Sequence, residues 1–211
     1  MQQHRLFGFQ QPDGTPGPTE VQAILAPYSS ELVDCIETGW HDYHSEVTES
    51  GRARLEARTR ASIVSDFARD RAMNVFSGRP GLRPCMDLGF FKVYVDDRIV
   101  IRFKKLDSEL LAANVQTEQQ RDWFNNEPIR GMQNDCLRLT VGYRLTPAAD
   151  QIADILITWQ PSWRVIGWYF SILGEPGEQV RPIDSPIGPQ PMPLPQVEII
   201  PRIGRTGEQA Q

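Results

Sequence analysis

Three cations are predicted to meet on one face of a β-hairpin. Apolar residues alternate with other residues on both sides of Asp96–Arg98, a pattern typical of two antiparallel strands. A three-residue loop places these apolar side chains on one face, whereas a two-residue loop scatters them over both faces. The sequence therefore predicts the three-residue loop, which gathers Lys92, Arg102 and Lys104 on the opposite, accessible face. The alternating residues are Phe91, Val93 and Val95 before the loop, and Ile99, Ile101 and Phe103 after it.

This basic face has the residue types of an anion-binding surface. Lys105 lies just beyond the three cations, and Phe90 and Tyr94 are interleaved with them. Cations beside aromatic rings suit a phosphate backbone with a stacked base, or an acidic partner protein. The alternative is a half-solvated strand face, or a face covered by the second helix with Asp66 and Asp70 pairing the cations. An element that covers this face would also have to supply counter-charges, because burying a cation without a partner is costly.

Arg58 and Arg60 are further candidates for anion binding. Two residues at positions i and i+2 do not share a helical face, so we expect one to bind an anion and the other to be solvated. Arginine accounts for 19 of the 22 basic residues, which suits bidentate recognition of phosphate or carboxylate, although GC-rich codon usage explains the same bias. The net charge of -5 argues against a protein that coats nucleic acid, so the sequence favours a protein partner over nucleic acid.

A carboxylate and two imidazoles lie on one helical stripe at Glu37, His41 and His44. Zinc and non-haem iron sites use these ligand types. The spacing is not that of an HExxH motif, and no fourth ligand is evident. Partly buried packing beside Trp40 and Tyr43 explains the stripe as well, so we predict neither a metal nor another cofactor.

The charged hairpin that follows a helix is similar to the architecture of PD-(D/E)xK nucleases. Their chemistry needs an acid two residues before the lysine, where it holds a divalent metal. Here the triplet is Arg102-Phe103-Lys104, with arginine in the place of the acid. No phosphate-binding loop, nucleophile elbow or kinase motif is present. The sequence therefore favours a non-enzymatic binding protein, with a degenerate metal-dependent nuclease as the alternative.

An α+β domain is expected to position these residues. The patterns predict a helical hairpin, over 31–49 and 54–76, in which an acidic helix pairs with a basic one. They also predict a short helix that begins at Thr117, whose capping box has Gln120 reaching back. We expect all three helices to form one layer on a five-stranded, mostly antiparallel sheet. After the hairpin, the predicted strands are 137–145, 155–159 and 163–172.

Composition divides the chain into three parts. Residues 1–27 are predicted to be a flexible segment, 28–173 a single α+β domain, and 174–211 an extended tail with eight prolines. The tail is either simply solvated or a ligand for a partner domain. No apolar run approaches the ~20 residues of a membrane span, and the first residues do not form a signal peptide. We therefore expect a cytoplasmic protein that does not engage a membrane; its oligomeric state is left open.

A resemblance rests on three stretches: 58–64 with Asp66; 101–107 followed by Asn114, Thr117 and Gln120; and 138–143. These stretches resemble a set of uncharacterised bacterial and phage proteins over roughly residues 55–172. Members of that family are often encoded beside a helix-turn-helix or zinc-peptidase-like regulator. The resemblance implies a regulatory component of a toxin–antitoxin or prophage-control module, and it carries no catalytic residue. A structural phage component is the remaining alternative.

Overall fold

In the part of the chain that the structure describes, four α-helices precede the sheet of this α+β fold, and a fifth lies between two of its strands. The computed structural model describes residues 17–87, 89–112, 117–125, 127–130, 132–133, 135–162, 164–173 and 181–182. The helices are α1 (Pro18–Leu25), α2 (Ser29–Glu46), α3 (Glu49–Arg54), α4 (Ala57–Phe76) and α5 (Glu118–Phe124), with a 3-10 turn at Ala26–Tyr28. In this part of the chain, none of the helices has the length and apolar character needed to span a bilayer.

The strands form one mixed sheet in chain order. They are β1 (Leu82–Asp87), β2 (Phe90–Val95), β3 (Ile99–Lys105), β4 (Leu137–Leu145), β5 (Ile152–Trp159), β6 (Trp168–Ser171) and the two-residue β7 (Arg181–Pro182). All neighbours are antiparallel except β3 and β4, which are parallel because the segment containing α5 crosses over between them. The α+β class is confirmed, while the prediction of five strands omitted β1 and β7.

The predicted hairpin has the expected register. Val95 pairs with Ile99 and Val93 pairs with Ile101, so the loop is Asp96–Arg98. Asp96 and Asp97 adopt φ angles of 50° and 51°, which aspartate tolerates better than most residues. The three-residue loop is therefore confirmed.

The main core lies between the sheet and the pair formed by α2 and α4. Gly39 permits their close approach, since a Cβ there would lie 2.7 Å from the backbone nitrogen of Ala68. An ion pair of 2.8 Å joins Asp34 of the acidic helix to Arg71 of the basic one. The predicted second helix, 54–76, corresponds to α4, which begins three residues later than predicted, at Ala57. The short helix α3 follows α2 and was not predicted as a separate element.

The layer arrangement differs from the prediction. Trp123 and Phe124 of α5 pack with Phe90, Tyr94 and Val100, whose side chains lie on the opposite face of the sheet from α2 and α4. The helices thus form two layers, one on each face of the sheet. A seven-residue helix carries too little periodicity to indicate which face it covers.

The folded part also begins earlier than predicted. Helix α1 lies inside the segment 1–27, and its Val21 and Leu25 are fully buried in the main core. Glutamines, glycines and prolines are frequent before residue 20, and this composition led to the prediction of a flexible segment. Most of the proline-rich tail, 183–211, lies outside the described residues.

Candidate functional site

Most of the predicted basic face of the hairpin is not accessible. Lys92 and Arg102 are each only 1% exposed, so the expectation of an open surface at these residues is wrong. Trp123 and Phe124 of α5, with Ile129 and Met132 after it, pack on this face of the sheet. The proposed cover by α4 is wrong as well, because Asp66 and Asp70 lie within 3.1 Å of Arg69 instead.

Arg102 is held by aromatic rings rather than by a carboxylate. Its guanidinium carbon lies 4.6 Å from the ring centre of Phe90, 4.8 Å from that of Trp123 and 5.6 Å from that of Phe124. Its Nη1 donates a hydrogen bond of 2.9 Å to Oε1 of Gln120. Burial lowers the pKa of the guanidinium. Arg102 therefore fastens α5 to the sheet through cation–π contacts and one charged hydrogen bond.

Two further predicted residues of this face, Lys92 and Tyr94, also have structural partners. Lys92 is paired with Asp87 at 2.8 Å. Tyr94 is 2% exposed, and its hydroxyl accepts a hydrogen bond from the backbone nitrogen of Gln133. Arg83 covers the Tyr94 ring at 4.0 Å. The ring is therefore not available to stack a base from a nucleic acid.

Arg138 of β4 is a further structural cation that the sequence did not reveal. It donates hydrogen bonds to the carbonyl oxygens of Asp122 at 2.7 Å, Trp123 at 3.2 Å and Glu127 at 2.8 Å. These carbonyls belong to the end of α5 and the chain that follows, where a cation also complements the helix dipole. Arg138 and Arg102 together fix the position of α5.

A cavity of about 680 Å³ lies between the first half of α4, the end of β3 and the start of α5. It brings together three of the predicted binding residues, Arg58, Lys104 and Lys105. Arg60 lines a second cavity instead, so the two arginines of the Arg58-Thr59-Arg60 motif face different ways, as their spacing predicts. The remaining polar residues of the first cavity are Ser62, Ser65, Asp66, Asp107, Thr117 and Gln120.

The acidic groups of this cavity are engaged, whereas its cations are not. Oδ1 of Asp107 accepts hydrogen bonds of 2.9 Å from two backbone nitrogens of its own loop. Asp66 is paired with Arg69. Among the residues that the structure describes, Arg58, Lys104 and Lys105 have no ion-pair partner. The cavity therefore has positive charge that a carboxylate or a phosphate could neutralise.

Lys104 is the most perturbed of these cations. Burial, with a smaller contribution from nearby Arg102, lowers the pKa of its amine to about 8. Burial and Arg60 also lower the pKa of Lys105. Both amines thus lose part of their hydration in the folded protein, and an anion that supplies a counter-charge would recover that cost.

The capping box at the start of α5 is only half formed. Thr117 Oγ1 accepts a hydrogen bond of 3.3 Å from the backbone nitrogen of Gln120, which confirms the predicted N-cap. The side chain of Gln120 does not reach back to the cap; it accepts from Arg102 instead. Gln120 consequently forms part of the cavity wall, a role that the local sequence pattern does not indicate.

The two carboxylates of the first cavity, Asp66 and Asp107, do not stand at the spacing of a PD-(D/E)xK motif, and both are engaged within the protein. Arg102 occupies the strand position, two residues before Lys104, where the PD-(D/E)xK motif requires an acid. Within the described ranges, no three His, Cys, Asp or Glu side chains are arranged to hold a metal ion. The stripe of Glu37, His41 and His44 is therefore not a metal-binding cluster; the imidazole of His44 packs on Trp40, with ring centres 4.5 Å apart.

Comparison with protein-family models, curated proteins and solved structures found no match. The resemblance noted from the sequence remains a prediction, and the function is argued from the geometry of the site.

Proposed function

We propose that this chain is a non-enzymatic binding protein that recognises an acidic segment of a partner protein through the cavity between α4 and the end of β3. The observation that carries the proposal is the convergence of Arg58, Lys104 and Lys105, none paired with an acid in the described residues. The hydroxyl group of Ser65 lines the same cavity and adds a neutral donor for an oxyanion, whereas that of Ser62 donates to the carbonyl oxygen of Arg58.

A protein partner fits the site better than nucleic acid does. Nucleic-acid binding draws on many phosphate contacts along a basic surface, whereas this site is a single concavity with three cations on a chain of net charge -5. The aromatic residues that could have stacked bases, Phe90 and Tyr94, are buried. One or two carboxylates of an acidic peptide match the size and charge of the cavity.

We further propose that binding of the partner protein serves a regulatory role. The sequence resemblance implies an antitoxin-like or prophage-control component, whose action would be to capture its partner. A nuclease is not favoured, because Arg102 stands two residues before Lys104, where the motif requires a metal-binding acid.

The test measures the binding of acetylated tetraglutamate by titration calorimetry at pH 7. The double variant Arg58→Glu/Lys105→Glu should bind at least tenfold more weakly, which corresponds to about 1.4 kcal/mol. Arg130→Glu/Arg121→Glu is the matched control, because both arginines are exposed and neither lines the cavity. The control should bind like the wild type, and both double variants should keep its thermal midpoint.

Two results would overturn the proposal. The first is an equal loss of peptide affinity in both double variants, which would show that binding depends on the net charge of the chain and not on the cavity. The second is tighter binding of a single-stranded oligonucleotide than of the peptide at the same ionic strength, with the same dependence on Arg58. Affinity capture from the native host, with and without nuclease treatment, then identifies the partner.

A further inference from the structure

A second cavity adjoins the first along α4. Its volume is about 390 Å³, and it shares Ala57, Ala61 and Lys105 with the first cavity. The two cavities therefore meet at the end of β3, so one extended ligand can enter both. A pocket of this volume is in the range that binds compact organic groups.

Aromatic side chains form much of the wall of this second cavity. Trp40, Tyr43 and His44 of α2 line it together with Tyr143 of β4. The ring of Trp40 lies 5.8 Å from that of Tyr43 and 6.5 Å from that of Tyr143, in tilted arrangements. Such a wall offers both faces and edges to a further aromatic ring.

Two buried polar atoms in this wall have no partner in the described part of the chain. They are the hydroxyl oxygen of Tyr43 and Nε2 of His44. Tyr43 is only 2% exposed, so its hydroxyl cannot rely on bulk water in place of a partner. A buried polar group without a hydrogen bond costs stability. A ligand that supplies a donor and an acceptor here would recover that cost.

The neutral form of the His44 imidazole is favoured in this wall, and in that form the ring can form a hydrogen bond with a ligand. Burial and the neighbouring Arg52 and His41 lower its pKa. Arg52 Nη1 donates to the carbonyl oxygens of His44 and Val47, which holds α3 against the end of α2. The position of His44 in the cavity wall is thereby fixed.

The lining of this second cavity also contains cations. Arg60 and Lys105 line it, and neither has an ion-pair partner among the described residues. With Arg52, three cations line this cavity against two acids, Glu49 and Asp150, so the net charge of the lining is positive. The positive character of the first cavity thus continues into the second.

We infer that the second cavity receives the side chain of a tyrosine that lies beside the acidic residues of the partner peptide. Its ring would pack against Trp40 and Tyr143, and its phenol would exchange hydrogen bonds with the Tyr43 hydroxyl and His44 Nε2. This inference rests on the proposed function, because the acidic residues of the same peptide occupy the first cavity. It adds a specific recognition element, a tyrosine next to acids.

The test compares three peptides that bind the full chain. The first has four glutamates followed by tyrosine, the second has leucine in place of tyrosine, and the third has glutamines in place of the glutamates. We expect the tyrosine peptide to bind about tenfold more tightly than the leucine peptide. The glutamine peptide should bind most weakly.

The variant Tyr43→Phe removes the hydroxyl and keeps the ring. It should weaken the tyrosine peptide several-fold and leave the affinity of a matched phenylalanine peptide unchanged. A general loss of structure would weaken both peptides, so the difference between them reports the hydroxyl contact itself.

The outcomes separate this inference from the proposed function. Equal affinity of the tyrosine and leucine peptides refutes the inference and leaves the acidic-peptide function in place. Failure of both glutamate peptides to bind refutes the function and the inference together. Tighter binding of adenosine monophosphate than of the tyrosine peptide also refutes the inference, since it would assign the aromatic wall to a nucleotide base.

Discussion

Raising the pH above 8 should weaken the binding of an acidic peptide, because it removes the charge of Lys104. Burial lowers the pKa of the free amine to about 8, and Arg102 adds to the shift. A carboxylate bound in the cavity favours the charged amine and raises that pKa again. The complex therefore holds a proton that the free protein loses above pH 8, and affinity must fall as the pH rises.

The size of this effect follows from the position of the pKa. At pH 9, with a pKa of about 8, roughly one in eleven free Lys104 amines is protonated. The dissociation constant should then be about tenfold larger than at pH 7, a loss of about 1.4 kcal/mol. Lys105 acts in the same direction, since its pKa is lowered too.

The assay is calorimetric titration with acetylated tetraglutamate from pH 6.5 to pH 9.5. The control is Lys104→Arg, which keeps its charge over this whole range. Its profile should be much flatter, with only the contribution of Lys105 remaining. Parallel profiles for the wild type and Lys104→Arg would refute the assignment of the anion site to Lys104.

Three further predictions concern the framework of the site. Gly39→Ala should cost about 1–3 kcal/mol in urea denaturation, because its Cβ meets the backbone of Ala68 at 2.7 Å; an unchanged midpoint would contradict this packing. Thr117→Ala should cost about 1 kcal/mol through loss of the α5 N-cap, and hydrogen exchange should rise in α5 before it rises elsewhere. Burial raises the pKa of Cys35 to about 12 and of Cys136 to about 11. Both thiols should therefore react with a disulfide reagent at pH 8 far more slowly than in urea; equal rates would contradict their burial.

Local patterns predicted those parts of the fold that depend on nearby residues. Alternation around Asp96–Arg98 determined the hairpin register, and the Thr117 cap marked the start of α5. Strand β1 was missed because Pro84 and the preceding glycines read as a turn. Its pairing with β2 depends on residues farther along the chain, so the segment alone does not reveal it.

The accessibility of the basic face could not be predicted in the same way. Alternation identifies the two faces of a strand but not what covers each one. Arg102 looks like a surface cation in the sequence, yet Trp123 from a later helix encloses it. The predicted cations Lys104 and Arg58 do line a cavity, because this cavity lies beyond the part of the face that α5 covers. Gln120 was missed as a wall residue, since its partner Arg102 is remote in sequence.

The most direct test of the proposed anion site is nuclear magnetic resonance of the isotope-labelled protein during titration with acetylated tetraglutamate. The largest shift changes should occur at Arg58, Lys104 and Lys105, with Arg130 unaffected. Saturable changes centred on Arg130 or on other residues outside the cavity, with none at Lys104, would contradict the proposed binding site.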